Sequence, residues 1–201
     1  WAFKVFEKGH RVRTAAIVTL AFMLAEAALG ACLVLFGLVA DDDSLARAIV
    51  MCMHLANTLG LVAAMALTAW WSTHPGRMHI KGRKAHLLGL ATAGLIGIGI
   101  TGAIAALGDT LFPATGLLEG IRADLESDAH FLLRLRAAHP TLAVLVAGGT
   151  VALVPWVCDR CDHPQIDRLG RTLTILLVTQ VVIGFVNLGL LAPVWMQLIH
   201  L

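Results

Sequence analysis

Long apolar segments alternate with short polar ones along the whole chain. Five long apolar segments are followed by a shorter sixth that reaches the last residue: 14–39, 48–71, 86–107, 138–157, 173–191 and 193–201. A run of about 20 apolar residues crosses the hydrocarbon core of a bilayer as an α-helix. The pattern predicts an all-α integral membrane protein with five full transmembrane helices and the start of a sixth. Because the sixth segment is too short to cross, and Trp1 rather than Met comes first, we expect part of a longer chain.

Composition agrees with a membrane environment. Hydrophobic residues make up 58% of the chain and charged residues 14%, against about 45–50% and 25% in soluble domains. The formal net charge of +2 is too small to indicate a nucleic-acid partner. We therefore expect membrane lipid around the helices and no nucleic acid.

The charged residues also predict an orientation. Eleven of the 15 Lys and Arg residues lie in three polar segments, 1–13, 72–84 and 158–171. Cytoplasmic loops carry such an excess of basic residues. We expect these segments, and so the Trp1 end, on the cytoplasmic side of a bacterial inner membrane that the chain crosses several times. The polar segment 108–136 then lies on the outer side.

Three histidines lie in the outer part of apolar segments: His54, His139 and His200. An ionisable side chain inside a membrane is costly and indicates a functional site. Imidazole is a common axial ligand of haem iron, and two histidines on facing helices can hold one porphyrin between them. The alternative, that each histidine only hydrogen-bonds a neighbouring helix, stays open.

Two arginines, Arg134 and Arg136, come shortly before His139 at the predicted outer surface. Arginine pairs with carboxylates through two parallel hydrogen bonds, so both are candidates to bind haem propionates. The equal alternative is that they extend to lipid headgroups.

The chain repeats weakly against itself. Glu26-Ala-Ala-Leu-Gly30 is followed by His54, and Gln180-Val-Val-Ile-Gly184 is followed by His200. A repeated unit implies a duplicated site. We therefore expect His139 and His200 to form a complete ligand pair, and His54 to have a partner histidine upstream of the first residue. Glu26 is expected to make an interhelical hydrogen bond, with a proton path as the alternative.

Four motifs together resemble the heme A synthase family. They cover most of the chain, in the family's order and spacing: Gly9-His10-Arg11 with Glu26-Ala-Ala-Leu-Gly30 and His54-Leu55; Thr101-Gly-Ala-Ile-Ala-Ala-Leu-Gly-Asp109 with Phe112-Pro113; Arg134-Leu-Arg136-Ala-Ala-His139-Pro140; and Gln180-Val-Val-Ile-Gly184 with Asn187 and His200-Leu201.

The resemblance implies an eight-helix bundle made of two duplicated four-helix halves. Residues 1–84 would belong to the first half, without its first two helices, and residues 85–201 to the second half, truncated at its last helix. His139 and His200 would bind a haem b. His54 would bind the reacting haem, in which the family oxidises the methyl group of haem O to the formyl group of haem A. Expected partners are a haem O-supplying enzyme or a larger membrane complex.

The family's catalytic acid lies in helices that would precede residue 1, so no catalytic residue is assigned here. Two other functions remain open. The chain could be a non-catalytic b-type cytochrome subunit of a membrane electron-transfer complex, which binds haem without converting it. It could also be a transporter or scaffold without a cofactor.

Overall fold

The computed structural model describes residues 2–74, 82–158 and 164–200. Within these ranges all regular structure is α-helical: α1 (Ala2–Val5), α2 (Arg11–Leu35), α3 (Leu45–Thr73), α4 (Arg83–Leu111), α5 (Leu117–Leu125), α6 (Phe131–Cys158), α7 (Pro164–Gly189) and α8 (Val194–His200). Helices α2, α3, α4, α6 and α7 are long and apolar enough to cross a membrane. The predicted all-α membrane bundle with five spanning helices is confirmed, and α8 corresponds to the short sixth segment.

Several helices are longer than the apolar segments that predicted them. Helix α6 begins at Phe131 rather than at residue 138, and α7 begins at Pro164 rather than at residue 173. The added turns carry charged residues, which form helix as readily as apolar ones do. Proline is compatible with the first turn because its missing N–H has no partner there. The helices therefore extend past the apolar core into the polar interface.

Helix α2 is shorter than predicted, ending at Leu35 rather than at residue 39. Gly37 adopts a left-handed conformation with φ of 67°, which glycine tolerates without steric cost. The Leu38 N–H then donates to the Leu33 carbonyl at 2.8 Å. This is the Schellman pattern that ends many helices at a glycine.

The chain divides into two compact units, Trp1–His79 and Ile80–Leu201. In the first unit, α2 and α3 pack against each other in antiparallel register. Thr19 Oγ1 lies 3.4 Å from Thr68 Oγ1, and the Asn57 amide donates to the Phe22 carbonyl at 2.9 Å. A Cβ atom on Gly60 would lie only 2.7 Å from the Phe22 ring. Glycine at this position therefore allows the close approach of the two helices.

In the second unit, α4 and α6 form a similar antiparallel pair. A Cβ on Gly94 would lie 2.8 Å from Val146, and a Cβ on Gly108 would lie 3.4 Å from the Leu132 carbonyl. Helices α5 and α7 each contact α6, and α8 contacts α7. This arrangement brings residues of α4, α6, α7 and α8 into one unit.

Apolar side chains cover the outward faces of the spanning helices. Leu24 of α2 is 62% exposed and Leu176 of α7 is 61% exposed. In water such a surface would be strongly unfavourable, whereas lipid chains are as apolar as the side chains themselves. The exposed faces fit a multi-pass membrane protein.

Candidate haem-ligand site

His139 and His200 come together in the second unit. His139 lies in α6 and His200 is the last residue of α8. Their ring centroids are 6.3 Å apart, and the ring planes meet at 69°. Since an imidazole nitrogen lies about 2.0–2.1 Å from a transition metal that it binds, two rings on opposite sides of one ion have centroids about 6 Å apart. The separation of this pair fits a single iron between the two rings.

A hydroxyl group lies against the ring of His139. Thr101 Oγ1 of α4 is 3.0 Å from the Ile98 carbonyl oxygen and 3.1 Å from His139 Nδ1. A hydroxyl has only one hydrogen, so when Thr101 donates it to Ile98 it accepts from His139 Nδ1. Nε2 is then unprotonated, which is the state in which imidazole binds a metal.

His200 is held through its backbone rather than through its ring. The Gln180 side chain of α7 donates to the His200 carbonyl oxygen. His200 Nδ1 is buried and has no hydrogen-bond partner among the described residues. A buried polar atom without a partner is rare and calls for an explanation. A haem iron would bind the other ring nitrogen, Nε2, so the unpartnered Nδ1 is a separate feature of this ring.

His54 lies in the first unit, near the middle of the first half of α3. Its Nδ1 is 3.5 Å from Oε1 of Glu26 in α2. The same carboxylate accepts from Asn57 Nδ2 at 2.5 Å and from the Thr58 hydroxyl. The predicted interhelical role of Glu26 is thus present as a network between α2 and α3. The partner histidine expected for His54 would lie upstream of the sequence.

Each of the three histidines lies opposite a glycine of the neighbouring helix. A Cβ on Gly184 would lie 2.8 Å from Cε1 of the His200 ring, and a Cβ on Gly102 would lie 3.1 Å from Cε1 of the His139 ring. The matching distance from Gly30 to His54 is 3.8 Å. A side chain at Gly184 or Gly102 would occupy the space of the imidazole. Glycine at these two positions therefore leaves room for the imidazole rings.

Arg136 takes part in an ion cluster at one end of α4 and α6. Its guanidinium binds Asp124 of α5, Asp109 of α4 at 3.0 Å, and the Phe112 carbonyl at 3.2 Å. The side chain of Arg136 is only 11% exposed. Its partners in this chain therefore include two carboxylates, and the cluster joins α5 to the ends of α4 and α6.

Arg134 is exposed, and its guanidinium donates to the Ser127 carbonyl. Of the two arginines, Arg134 has more of its donors open to an outside carboxylate. Neither the two acids that bind Arg136 nor the hydroxyl of Thr101 was predicted from the sequence as a contact of the site. The only available signal for the acids was their place in the same polar segment as Arg134 and Arg136.

Haem fits this donor set better than a bare metal ion does. Among the described residues, no group of three or more His, Cys, Asp or Glu side chains could hold a metal ion. A metal bound here must bring most of its ligands with it, as iron in a porphyrin does. Cys32 of α2 and Cys52 of α3 are free thiols.

Comparison with known proteins decides the family. The sequence model of a family described as cytochrome oxidase assembly protein, COX15-CtaA, matches residues 1–201. The chain belongs to this family. It is the heme A synthase family that the motifs of the sequence resemble, so the predicted relationship is confirmed.

Relatives of this family member include two proteins named protoheme IX farnesyltransferase, from two strains of Thermus thermophilus. Each is 43% identical to the chain over 203 residues, covering 100% of the chain and 33% of the relative. The chain therefore spans about a third of the length of these relatives. No solved structure matches it.

Proposed function

We propose that this family member is the haem-binding part of a membrane oxidoreductase of the heme A synthase type. Its reaction would oxidise the methyl group of haem O to the formyl group of haem A. The observation that carries the proposal is the pair His139 and His200, whose ring centroids are 6.3 Å apart in a chain that matches this family from end to end.

In this proposal His139 and His200 hold a resident haem b, which would relay electrons. Thr101 would keep the proton of His139 on Nδ1, and Gln180 binds the backbone of His200. Both contacts limit the motion of the two residues before a haem binds, so less conformational freedom would be lost on binding. The apolar helices around the site would limit its access to water.

His54 would be one of the two ligands of the reacting haem. Its other ligand would come from the helices that precede residue 1 in the family's arrangement.

Arg134 would pair with a haem propionate, since most of its donors remain open. Arg136 would support the same outer surface by holding α5 against α4 and α6 through Asp109 and Asp124.

We also propose that the chain consists of parts of two duplicated halves, residues 1–84 and 85–201. The contacts support this division. Gly30 of α2 faces His54 of α3, and Gly184 of α7 faces His200 of α8. Glu26 and Gln180, one helical turn earlier on α2 and α7, each bind the helix that carries the histidine. The same arrangement, a glycine opposite a histidine with a polar side chain one helical turn before the glycine, thus occurs in both parts of the chain.

The name of the Thermus relatives is compatible with this function. It describes transfer of a farnesyl group to protohaem IX by a protein three times as long as the matched region. Such a reaction produces a farnesylated haem, the class of compound to which haem O belongs. We propose that an enzyme of that class supplies the haem O that the proposed oxidoreductase then oxidises.

The proposed location is a bacterial inner membrane with residues 2–10 on the cytoplasmic side. The basic segment before α2 and the basic start of α4 support this orientation, because both would then face the cytoplasm. Under this orientation Arg134, Arg136 and α5 lie at the outer surface.

A reduced-minus-oxidised absorption spectrum of the purified full-length protein, followed by pyridine extraction of the haem, tests the function. The proposal predicts a low-spin b-type signal together with extracted haem O or haem A. A b-type signal with only haem b in the extract would favour the electron-transfer cytochrome. No haem at all would overturn the proposal and favour the transporter or scaffold.

A further inference from the structure

The carboxylate of Glu26 is held in one position by α3. Asn57 Nδ2 donates to Oε2 at 2.5 Å and to the Phe22 carbonyl at 2.9 Å, so both hydrogens of the amide are used. The Thr58 hydroxyl reaches both Oε1 and, at 2.9 Å, the His54 carbonyl oxygen, and its one hydrogen bonds more strongly to the charged carboxylate. A carboxylate accepts several hydrogen bonds at once, so Oε1 can take a further donor besides Thr58.

The nearest further donor is His54. Its Nδ1 lies 3.5 Å from Glu26 Oε1 and is buried, with no hydrogen-bond partner among the described residues. This distance is slightly longer than a good hydrogen bond, and a small rotation of the imidazole would close it. Because Asn57 and Thr58 hold the carboxylate, the ring rather than Glu26 would move.

The other two histidines have no such partner. His139 Nδ1 meets a neutral hydroxyl, that of Thr101, at 3.1 Å. His200 Nδ1 has no partner among the described residues, because Gln180, at the position that matches Glu26, donates to the His200 backbone instead. Among the three candidate ligands, His54 is the one whose Nδ1 faces a carboxylate.

We propose that Glu26 is a positioning residue for His54. It accepts the Nδ1 hydrogen of His54, fixes Nε2 as the nitrogen that binds haem iron, and makes this imidazole a stronger electron donor than His139 or His200. Carboxylate partners of metal-binding histidines orient the ring and raise its basicity. A more electron-rich ligand favours the oxidised iron, so the haem of the first half should have the lower midpoint potential. The inference rests on the proposed function, which makes His54 a haem ligand.

The test is Glu26→Gln in the full-length protein, with a redox titration that resolves the two haems. The substitution keeps the size of the side chain and an oxygen acceptor but removes the carboxylate. We expect the midpoint potential of the first-half haem to rise, and its transfer to apomyoglobin to become about tenfold faster or more, the usual scale for such partners. The second-half haem, bound by His139 and His200, should keep its potential and serves as an internal control.

Thr68→Val is the matched control variant. Thr68 makes a polar contact between the same two helices, 3.4 Å from Thr19, but does not contact Glu26 or His54. If Glu26 only joins the helices, both substitutions should have similar effects on the first-half haem. The proposal predicts a shift for Glu26→Gln and none for Thr68→Val. An unchanged potential in Glu26→Gln, or equal shifts in both variants, would overturn it.

Two further variants separate the possible failures. Thr58→Val removes one of the donors that hold the carboxylate and should give a smaller shift in the same direction, which keeps the test available if Glu26→Gln accumulates poorly. No shift in Thr58→Val would then count against the proposal. His54→Ala tests the proposed function, in which His54 is a haem ligand. If both haem signals survive this change, His54 is not a ligand, and the proposed function fails as well as the role of Glu26.

Discussion

Replacing Gly184 by alanine should displace one haem ligand while leaving the fold intact. The new Cβ would lie 2.8 Å from Cε1 and 3.2 Å from Nε2 of the His200 ring. Carbon atoms in good contact lie about 3.5–4.0 Å apart, so the ring must withdraw by roughly 0.7 Å or more. The clash involves the end of a side chain, and the ring can move without moving α7 or α8.

The cost of that movement sets the expected effect. A side chain forced about 30° from its rotamer costs about 0.5–1.5 kcal/mol. Since about 1.4 kcal/mol corresponds to a tenfold change in affinity, binding of the second-half haem should weaken roughly twofold to tenfold. At Gly102 the clash with His139 is milder, with a closest distance of 3.1 Å. Gly102→Ala should therefore have the smaller effect of the two.

The assay is the rate of haem transfer from the purified full-length protein to apomyoglobin, together with the low-spin absorption band. Gly97→Ala in α4 is the control, because no described atom lies within 4 Å of the added Cβ. All three variants gain the same helix preference of alanine over glycine, so this contribution cancels. Haem release from Gly184→Ala that is no faster than from Gly97→Ala would contradict a clash between the new Cβ and the His200 ring.

Two other changes probe the surroundings of the site. Arg136→Ala leaves the largely buried carboxylates of Asp109 and Asp124 without their cation and should lower the free energy of unfolding in micelles by about 3–5 kcal/mol. The control Arg134→Ala should change this free energy by less than about 1 kcal/mol. Equal losses in the two variants would contradict the structural role of the ion cluster around Arg136. Thr101→Val removes the hydroxyl that would accept the Nδ1 hydrogen of His139, so the protein should lose haem b to apomyoglobin about tenfold faster or more. An unchanged rate of haem transfer would show that another group fixes the tautomer of His139.

The sequence predicted the membrane helices well, because bilayer thickness imposes a length of apolar chain that few other constraints produce. The predicted ends of the helices were less accurate, because an apolar segment ends at the membrane surface whereas a helix can continue beyond it. Charged turns therefore lengthened α6 and α7. The early end of α2 depended on the left-handed conformation of Gly37, which a glycine permits but does not require.

The candidate ligands could be selected from the sequence because histidines inside apolar segments are few. The residues that contact these histidines could not be selected from the sequence in the same way. The contact of Thr101 with His139 depends on the register between α4 and α6, which is set by packing at positions such as Gly94 and Gly108. Arg136 was predicted to bind a haem propionate or a lipid headgroup, and its contacts with Asp109 and Asp124, which the sequence did not indicate, depend on how α5 folds back. Such contacts between distant residues have no local signature.

His139 and His200 are proposed to bind the same iron. Near-infrared magnetic circular dichroism of the oxidised full-length protein identifies axial ligands directly, and His139→Ala and His200→Ala are the variants to compare. His86→Ala, an exposed histidine that contacts the Gly82 carbonyl at the start of α4, is the control. We expect a bis-imidazole signal of which either ligand substitution converts one part, that of the second-half haem, to high spin, and which His86→Ala preserves in full. The remaining part would come from the haem bound by His54. A bis-imidazole signal that keeps its full intensity in either His139→Ala or His200→Ala would contradict binding of one iron by this pair.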